Sequence, residues 1–444
     1  MNKEFREKLN FFSFSDIDSE RKDRIMKFTS TEATPAPHVP PGVLRLTGAA
    51  KEDIPMYRIQ TMNKISPVGL NRFPSELYEV GDAVQDPQGI LVRSAKLLDL
   101  EFNPSLLAIA RAGVGVNNIP LDRCAAAGIP VFSTPGANAN AVKELVICAM
   151  LMGSRDIPGA IRWVREQAAS GVDVSTVVEK GKSAFIGPEL YKKTLGIIGL
   201  GAIGSIVANT AISLGMDVYG YDPFLSVDTA LRLDRHVHVV KDINDLYKRS
   251  DYITMHIHYT EKTAHMIDAS AIAAMKRGVR VINLARGEIV DDEAMLTALD
   301  TGMVAAYITD FPNNRLLTAP HVIAMPHLGA STPESEQNCA AMAVDTLRDY
   351  LESGNIRSSV NLPEMTMDRS GVQRLCVLHK NVPGMLANIT SLFGRDGVNV
   401  ENLSNKSRGD YAYTMVDLGS KVGDNVIEDV RRTANVIRVR SLEW

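Results

Sequence analysis

Thr194-Leu-Gly-Ile-Ile-Gly199-Leu-Gly201-Ala202-Ile203-Gly204 is the stretch on which the fold turns. A short apolar strand ends in GxGxxG and opens a helix. Gly199 permits the tight turn, Gly201 lets a pyrophosphate approach the backbone, and Gly204 lets helix pack on strand. The helix N-terminus supplies unpaired N–H groups and a partial positive charge for phosphates. The next strand ends in Tyr221-Asp222-Pro223. An Asp there accepts from both ribose hydroxyls and repels a 2′-phosphate, which points to NAD rather than NADP.

Working outward, short apolar strands alternate with helical stretches. Strands are predicted at 57–62, 89–92, 107–110 and 130–132, then at 194–198, 217–221, 252–256, 280–283, 304–308 and 322–324. A long, largely apolar helix is predicted over 139–152, and 153–188 reads as a looser stretch. Continuous apolar strands alternating with helices mean parallel sheets covered on both faces. After a long helix (331–353) the order changes. Residues 374–444 read strand, helix, strand, strand, helix, strand, the ferredoxin-like βαββαβ arrangement.

The chain has 444 residues, which suggests roughly three domains. Its net charge of −4 gives no electrostatic case for nucleic acid. No apolar run is long enough for a membrane span. The four cysteines (Cys124, Cys148, Cys339, Cys376) are far apart, which argues against a disulfide framework or metal site and fits a reducing, cytoplasmic setting. Residues 1–30 carry seven basic and six acidic residues, unlike an organelle transit peptide. Four prolines within 34–42 mark a linker, so residues 1–56 are read as a flexible extension.

The downstream motifs point to a family. Ile282-Asn-Leu-Ala285-Arg286-Gly-Glu-Ile-Val-Asp291 and Pro326-His327-Leu-Gly329-Ala330-Ser-Thr332 resemble the arginine and histidine motifs of the D-isomer-specific 2-hydroxyacid dehydrogenases. Asp251–Thr260 is similar to the strand and loop of their adenosine pocket. Ile90-Leu-Val-Arg93-Ser94-Ala, Arg111-Ala-Gly113-Val-Gly115-Val and Thr134-Pro-Gly-Ala-Asn138-Ala-Asn140 resemble the substrate loops and hinge of the branch acting on phosphoglycerate. Arg374-Leu-Cys-Val-Leu-His379-Lys-Asn381-Val-Pro383-Gly384 resembles an ACT domain, a ligand-sensing module. The resemblance implies a flavodoxin-like substrate-binding domain (57–137 and 330–362), a Rossmann-type doubly wound NAD-binding domain (138–329) and an ACT regulatory domain (374–444). It also implies a homodimer or homotetramer.

The resemblance implies NAD-dependent oxidation of D-3-phosphoglycerate to 3-phosphohydroxypyruvate, which opens L-serine synthesis. His327 would be the base. An imidazole titrates near neutral pH and can serve in both directions. Arg286 would grip the substrate carboxylate with its planar fork, unless it makes only a surface ion pair. Arg93, Ser94 and the backbone at Gly113–Gly115 would take the phosphate, unless Arg93 pairs locally. Besides Gly199, Gly201, Ala202, Ile203, Gly204 and Asp222, the resemblance places Ala285, Asp310, Gly329 and Ala330 against the cofactor. His379, Asn381 and Asn399 match serine contacts, though His379 and Asn381 could equally cap the next helix.

Two departures stand out. The glutamate that usually partners the histidine is absent: Asn314 occupies its place, or a shortened loop has lost it. Lys143 stands where alanine is usual, at the start of the hinge helix. Lys143 is therefore predicted to bind substrate or donate a proton; the alternative is a surface lysine beside a carboxylate. Two other functional readings stay open: a glyoxylate/hydroxypyruvate reductase or other D-2-hydroxyacid dehydrogenase, and a non-catalytic NAD-sensing protein.

Overall fold

The computed structural model describes residues 56–444. The predicted N-terminal extension, up to residue 55, and its proline-rich linker lie outside the described residues. Sixteen strands among the described residues form three sheets.

The first sheet contains β1 (Tyr57–Thr61), β2 (Tyr78–Gly81), β3 (Gly89–Val92), β4 (Ala108–Arg111) and β5 (Val131–Phe132), in the order β2-β1-β3-β4-β5. All its pairings are parallel. β3 and most of β4 are buried, as continuous apolar strands require. The helix Pro333–Ser353 returns from far along the chain to cover this sheet, packing Ala340, Ala343, Val344 and Leu347 into one core with Ile59 and Leu91. Its start is well specified. The Thr332 hydroxyl accepts from the Ser335 N–H, Pro333 sits in the first turn, and Glu334 and Glu336 oppose the helix dipole.

The second sheet contains β6 (Thr194–Ile198), β7 (Asp217–Tyr221), β8 (Val237–Val240), β9 (Tyr252–Met255), β10 (Val279–Asn283), β11 (Val304–Thr309) and β12 (Val322–Ala324). Its order is β12-β11-β10-β9-β6-β7-β8, again parallel. Strand order reverses between β6 and β9, so a crevice opens where these strands end. The helix Ala139–Arg155 packs Val142, Val146, Ala149 and Met150 against this sheet. The stretch read as loose holds two more helices, Ile157–Ala169 and Val174–Gly181, neither with a buried residue.

The third sheet contains β13 (Gln373–Lys380), β14 (Val400–Arg408), β15 (Tyr411–Leu418) and β16 (Val436–Glu443). Its order is β14-β15-β13-β16, all antiparallel. Helices Met385–Arg395 and Asp424–Arg432 cover one face through Ile389, Phe393 and Val430. The other face packs Cys376, Leu378, Tyr413 and Met415 into the core of the first sheet. The Arg374–Asp417 pair, fully buried, marks the seam; Arg374 donates to both Asp417 oxygens at 2.6 and 2.8 Å. Each of the last four carbonyls of the 333–353 helix accepts from an arginine, and those of Leu351, Glu352 and Ser353 have no partner within the helix. Arg440 reaches Tyr350 and Leu351, Arg369 reaches Glu352, and Arg374 reaches Ser353.

Candidate active site

The turn after β6 is built as its glycines require. Gly199 has φ +90°, and a Cβ there would lie 2.5 Å from the His256 carbonyl oxygen. A Cβ on Gly204 would lie 1.9 Å from the Gly199 carbonyl oxygen, so only glycine lets the helix Ala202–Ser213 start this close to the strand. At Gly201 a Cβ would meet nothing within 4 Å, and Ala202 beside it is exposed. Ile203 packs into the nucleotide-domain core. Asp222 accepts from the Leu200 and Phe224 N–H groups, each at 2.9 Å. Its carboxylate is thus fixed beside the loop, and each oxygen keeps a second lone pair.

The turn after β10 presents Arg286. Buried Asn283 clamps it, its Oδ1 accepting from the Ala285 and Arg286 N–H groups and its Nδ2 donating to the Arg286 carbonyl. The guanidinium reaches the loop after β4: its Nη2 lies 3.2 Å from where a Cβ on Gly115 would be. After β11, buried Asp310 accepts from the Leu328 and Gly329 N–H groups through Oδ2, which ties down the loop carrying His327 and Ala330. Asp310 Oδ1 is buried with no partner. Burial pushes this carboxyl above its ordinary range, against the Gly329 N–H and the nearby His327.

An open backbone cradle, a fixed carboxylate beside the glycine loop and an orphaned buried oxygen on the residue that ties down the histidine loop together fit NAD. The first two would hold pyrophosphate and adenosine ribose. Asp310 Oδ1 is an acceptor without a donor, which a carboxamide N–H would satisfy.

His327 is exposed, and its ring packs against Phe311. Among the described residues no carboxylate lies within hydrogen-bonding distance of its imidazole. The loop that would carry the usual glutamate is folded onto the helix Asp292–Asp300. Asn313 donates to Asp292 at 2.6 Å, and Arg315 pairs with Glu293. Asn314 is exposed. The Arg286 guanidinium carbon lies 5.7 Å from the centroid of the same Phe311 ring, so one aromatic side chain joins the two proposed catalytic residues.

Arg93 follows β3 and pairs with Glu336 at 2.7 Å. Asn63 Oδ1 accepts from the N–H groups of Arg93, Ser94 and Ala95, fixing this loop; Ser94 itself is exposed. Arg111, at the end of β4, was not singled out from the sequence. Its Nε donates to the Arg93 carbonyl at 2.9 Å, and its Nη1 lies 2.9 Å from where a Cβ on Gly113 would be. Burial foremost, and then the guanidiniums of Arg286 and Arg93, hold it below the usual arginine value. Three guanidiniums therefore converge on one cleft. The available signal was position, since the carboxyl ends of parallel strands line the crevice.

Lys143 lies in the first turns of the 139–155 helix, its side chain 19% exposed and its ammonium 3.7 Å from Glu144. Glu144 also accepts from Asn140 at 2.9 Å. The pairing is the local one that the alternative reading describes.

The three residues matched to serine contacts do not meet. His379 is buried, with Nδ1 against the Lys380 carbonyl and Nε2 against the Thr414 hydroxyl, each at 2.8 Å, so neither ring nitrogen is open to a ligand. The Asn381 N–H bonds to Asp410, just before β15, while the Asn399 carbonyl accepts from Gly419, just after it. At roughly 3.3 Å per residue the strand between them spans about 23 Å.

Residues 147–329 match the family described as D-isomer specific 2-hydroxyacid dehydrogenase, NAD binding domain. A D-3-phosphoglycerate dehydrogenase of Synechocystis sp. is 36% identical over 326 residues, 71% of this chain and 56% of that protein. The chain thus spans about half the length of some of the curated relatives it matches. A D-3-phosphoglycerate dehydrogenase of Haemophilus influenzae is 31% identical over 379 residues, 82% of this chain and 88% of that protein. Among solved structures, the NAD+-bound 3-phosphoglycerate dehydrogenase of Entamoeba histolytica matches with a TM-score of 0.54 and 26% identity, covering 69% of this chain and 99% of that one. With its glycine loop, arginine turn and histidine loop brought to one crevice, the chain belongs to the D-isomer specific 2-hydroxyacid dehydrogenase family.

Proposed function

We propose that this chain is an NAD-dependent dehydrogenase that oxidises D-3-phosphoglycerate to 3-phosphohydroxypyruvate, a step toward L-serine. The observation that carries this reading is the convergence of Arg93, Arg111 and Arg286 on one cleft. Three guanidiniums suit a substrate with an anionic group at each end better than a simple hydroxy acid. Arg286, nearest His327, takes the carboxylate in bidentate fashion. Arg93, with Arg111 behind it, takes the phosphate. His327 accepts the C2 hydroxyl proton as the carbonyl forms, and returns it in reduction. Bound NAD supplies the hydride acceptor. The names of the relatives support the same substrate.

Self-association belongs to this proposal. Ile161, Val164 and Val178 are 50%, 38% and 37% exposed around a groove of about 670 Å³ on the stretch 157–186, and Ile186 beyond it is 82% exposed. Exposed apolar surface of this kind suits a second copy. An L-serine effector belongs to it too. With Asn381 and Asn399 at opposite ends of β15, one ligand could touch both only where two copies pair. Because the four cysteines are unpaired, a reducing, cytoplasmic setting suits the chain.

The test is steady-state turnover of D-3-phosphoglycerate with NAD, compared with D-glycerate and with glyoxylate reduction. The expected result is a kcat/KM for the phosphorylated acid that exceeds the others by roughly a hundredfold, the worth of about 2.7 kcal/mol of phosphate contacts. Preference for glyoxylate would select the reductase reading. Absence of turnover with all three, with NAD still bound, would select the sensing protein.

A further inference from the structure

Of the three guanidiniums in the cleft, only Arg93 has a carboxylate partner among the described residues, and that partner is Glu336. The two side chains are 42% and 45% exposed. The backbone of Arg93 is held firmly by Asn63 and by the Nε of Arg111, but its guanidinium makes no other ion pair. Glu336 stands in the first turn of the 333–353 helix. Its backbone is fixed by the cap at Thr332, while its carboxylate is held by Arg93 alone.

We propose that Glu336 is an internal competitor for the substrate phosphate and so sets the affinity of the phosphate subsite. This rests on the reading above, in which Arg93 meets the phosphate. In the free protein a Glu336 carboxylate oxygen lies 2.7 Å from Nη2 of the guanidinium that a phosphate would use. Two anions compete for that edge of it. An incoming phosphate displaces the carboxylate, and the exposure of both partners makes the exchange cheap, because a half-exposed ion pair is weak and screened. Once displaced, Glu336 stays near the phosphate on a turn held by the Thr332 cap, and the two negative charges repel. Phosphate affinity is thereby held below what three arginines would otherwise give. An acid without the phosphate leaves the Arg93–Glu336 pair intact and is indifferent to it. The device therefore acts on phosphorylated substrate and product alone. It favours departure of 3-phosphohydroxypyruvate, which carries the same phosphate as the substrate.

The experiment compares wild type, Glu336→Gln, Arg93→Ala and the double variant in the full chain. Glutamine keeps the size and hydrogen-bonding reach of the side chain and removes its charge. KM and kcat are measured for D-3-phosphoglycerate and D-glycerate across pH, and D-3-phosphoglycerate is titrated calorimetrically into the NADH-loaded protein. Glu336→Gln is expected to lower KM and Kd for D-3-phosphoglycerate by roughly two- to fivefold, the range an exposed ion pair can supply. The D-glycerate KM should move by less, and kcat should move little. In the Arg93→Ala background the substitution should have lost most of its effect, as a coupled pair requires. A raised or unmoved KM in Glu336→Gln, where Arg93→Ala does raise it, overturns the role of Glu336 alone. A displaced limb in the pH profile of kcat also overturns it, because Glu336 would then serve proton transfer. A KM that Arg93→Ala leaves unmoved overturns the placement of the phosphate. No turnover of D-3-phosphoglycerate by wild type overturns the functional reading and this proposal with it.

Discussion

The ring of Phe311 lies 4.6 Å from that of His327, tilted by 46°. The same ring lies beneath the Arg286 guanidinium. No carboxylate among the described residues reaches that imidazole, and an aromatic ring packs against it instead. That contact helps to fix its orientation.

Phe311→Leu keeps the bulk and removes that ring. Aromatic pairs contribute about 0.5–1.5 kcal/mol beyond burial, so kcat/KM for the preferred acid should fall by roughly two- to tenfold. Phe311→Tyr should restore most of it. Equal rates in both variants would show that the ring merely fills space.

Asp222 holds two backbone N–H groups beside the glycine loop, where the ribose is expected. Wild type should prefer NAD to NADP. Asp222→Ala should narrow that preference by roughly tenfold, about 1.4 kcal/mol, by removing repulsion of the 2′-phosphate. Equal use of both cofactors by wild type would remove the assignment.

His256 lies under the nucleotide loop, and burial pushes its imidazole down to about 4. In the unfolded chain it titrates near 6.5. Between those values the unfolded state binds the extra proton, so stability is complete above about pH 6.5 and falls as pH drops toward 4. The loss from this one group has a ceiling of about 3 kcal/mol at 1.36 kcal/mol per unit. Urea unfolding at several pH values should show a shallower acid slope in His256→Gln than in wild type. Parallel slopes would mean that this imidazole does not control acid stability.

Lys143 keeps its proposed catalytic role only if kinetics require it. Lys143→Ala should lower kcat/KM by about tenfold, or 1.4 kcal/mol, and displace one limb of the pH profile. A folded variant with unaltered kinetics would leave Lys143 as the partner of Glu144 alone.

The parts that could be read from sequence are those where local chemistry dictates geometry. The three glycines at 199, 201 and 204 demand a strand, a turn and a helix in that order, and these appear with boundaries within a residue of expectation. The helices at 157–169 and 174–181 were missed although Ile157, Ile161 and Val164 keep helical spacing; neither helix buries a residue. β8 was also missed; it is an edge strand with no buried residue. Arg111 and Glu336 lie far apart in sequence and meet Arg93 only through the order of strands and the return of a distant helix. The serine contacts were matched one at a time, and their spacing in three dimensions is not written in the sequence. Each suits a ligand alone, but strand length separates Asn381 from Asn399, and His379 spends both nitrogens on its own domain.

The arginines that close the end of the 333–353 helix bear on how detachable the C-terminal unit is. A regulatory module is often pictured as an accessory that can be cut away or exchanged between proteins. Here, ending the chain near residue 370 would strip Arg374 and Arg440 from helix carbonyls and uncover the apolar face shared with the first sheet. Both partners of the Arg374–Asp417 pair would leave together, so the cost falls on the bared apolar face, at about 25 cal/mol for each Å² newly exposed to water. The catalytic part of this protein has come to rely on its appendage for its own integrity, and lineages that discard the appendage would first have to rebuild the surface beneath it.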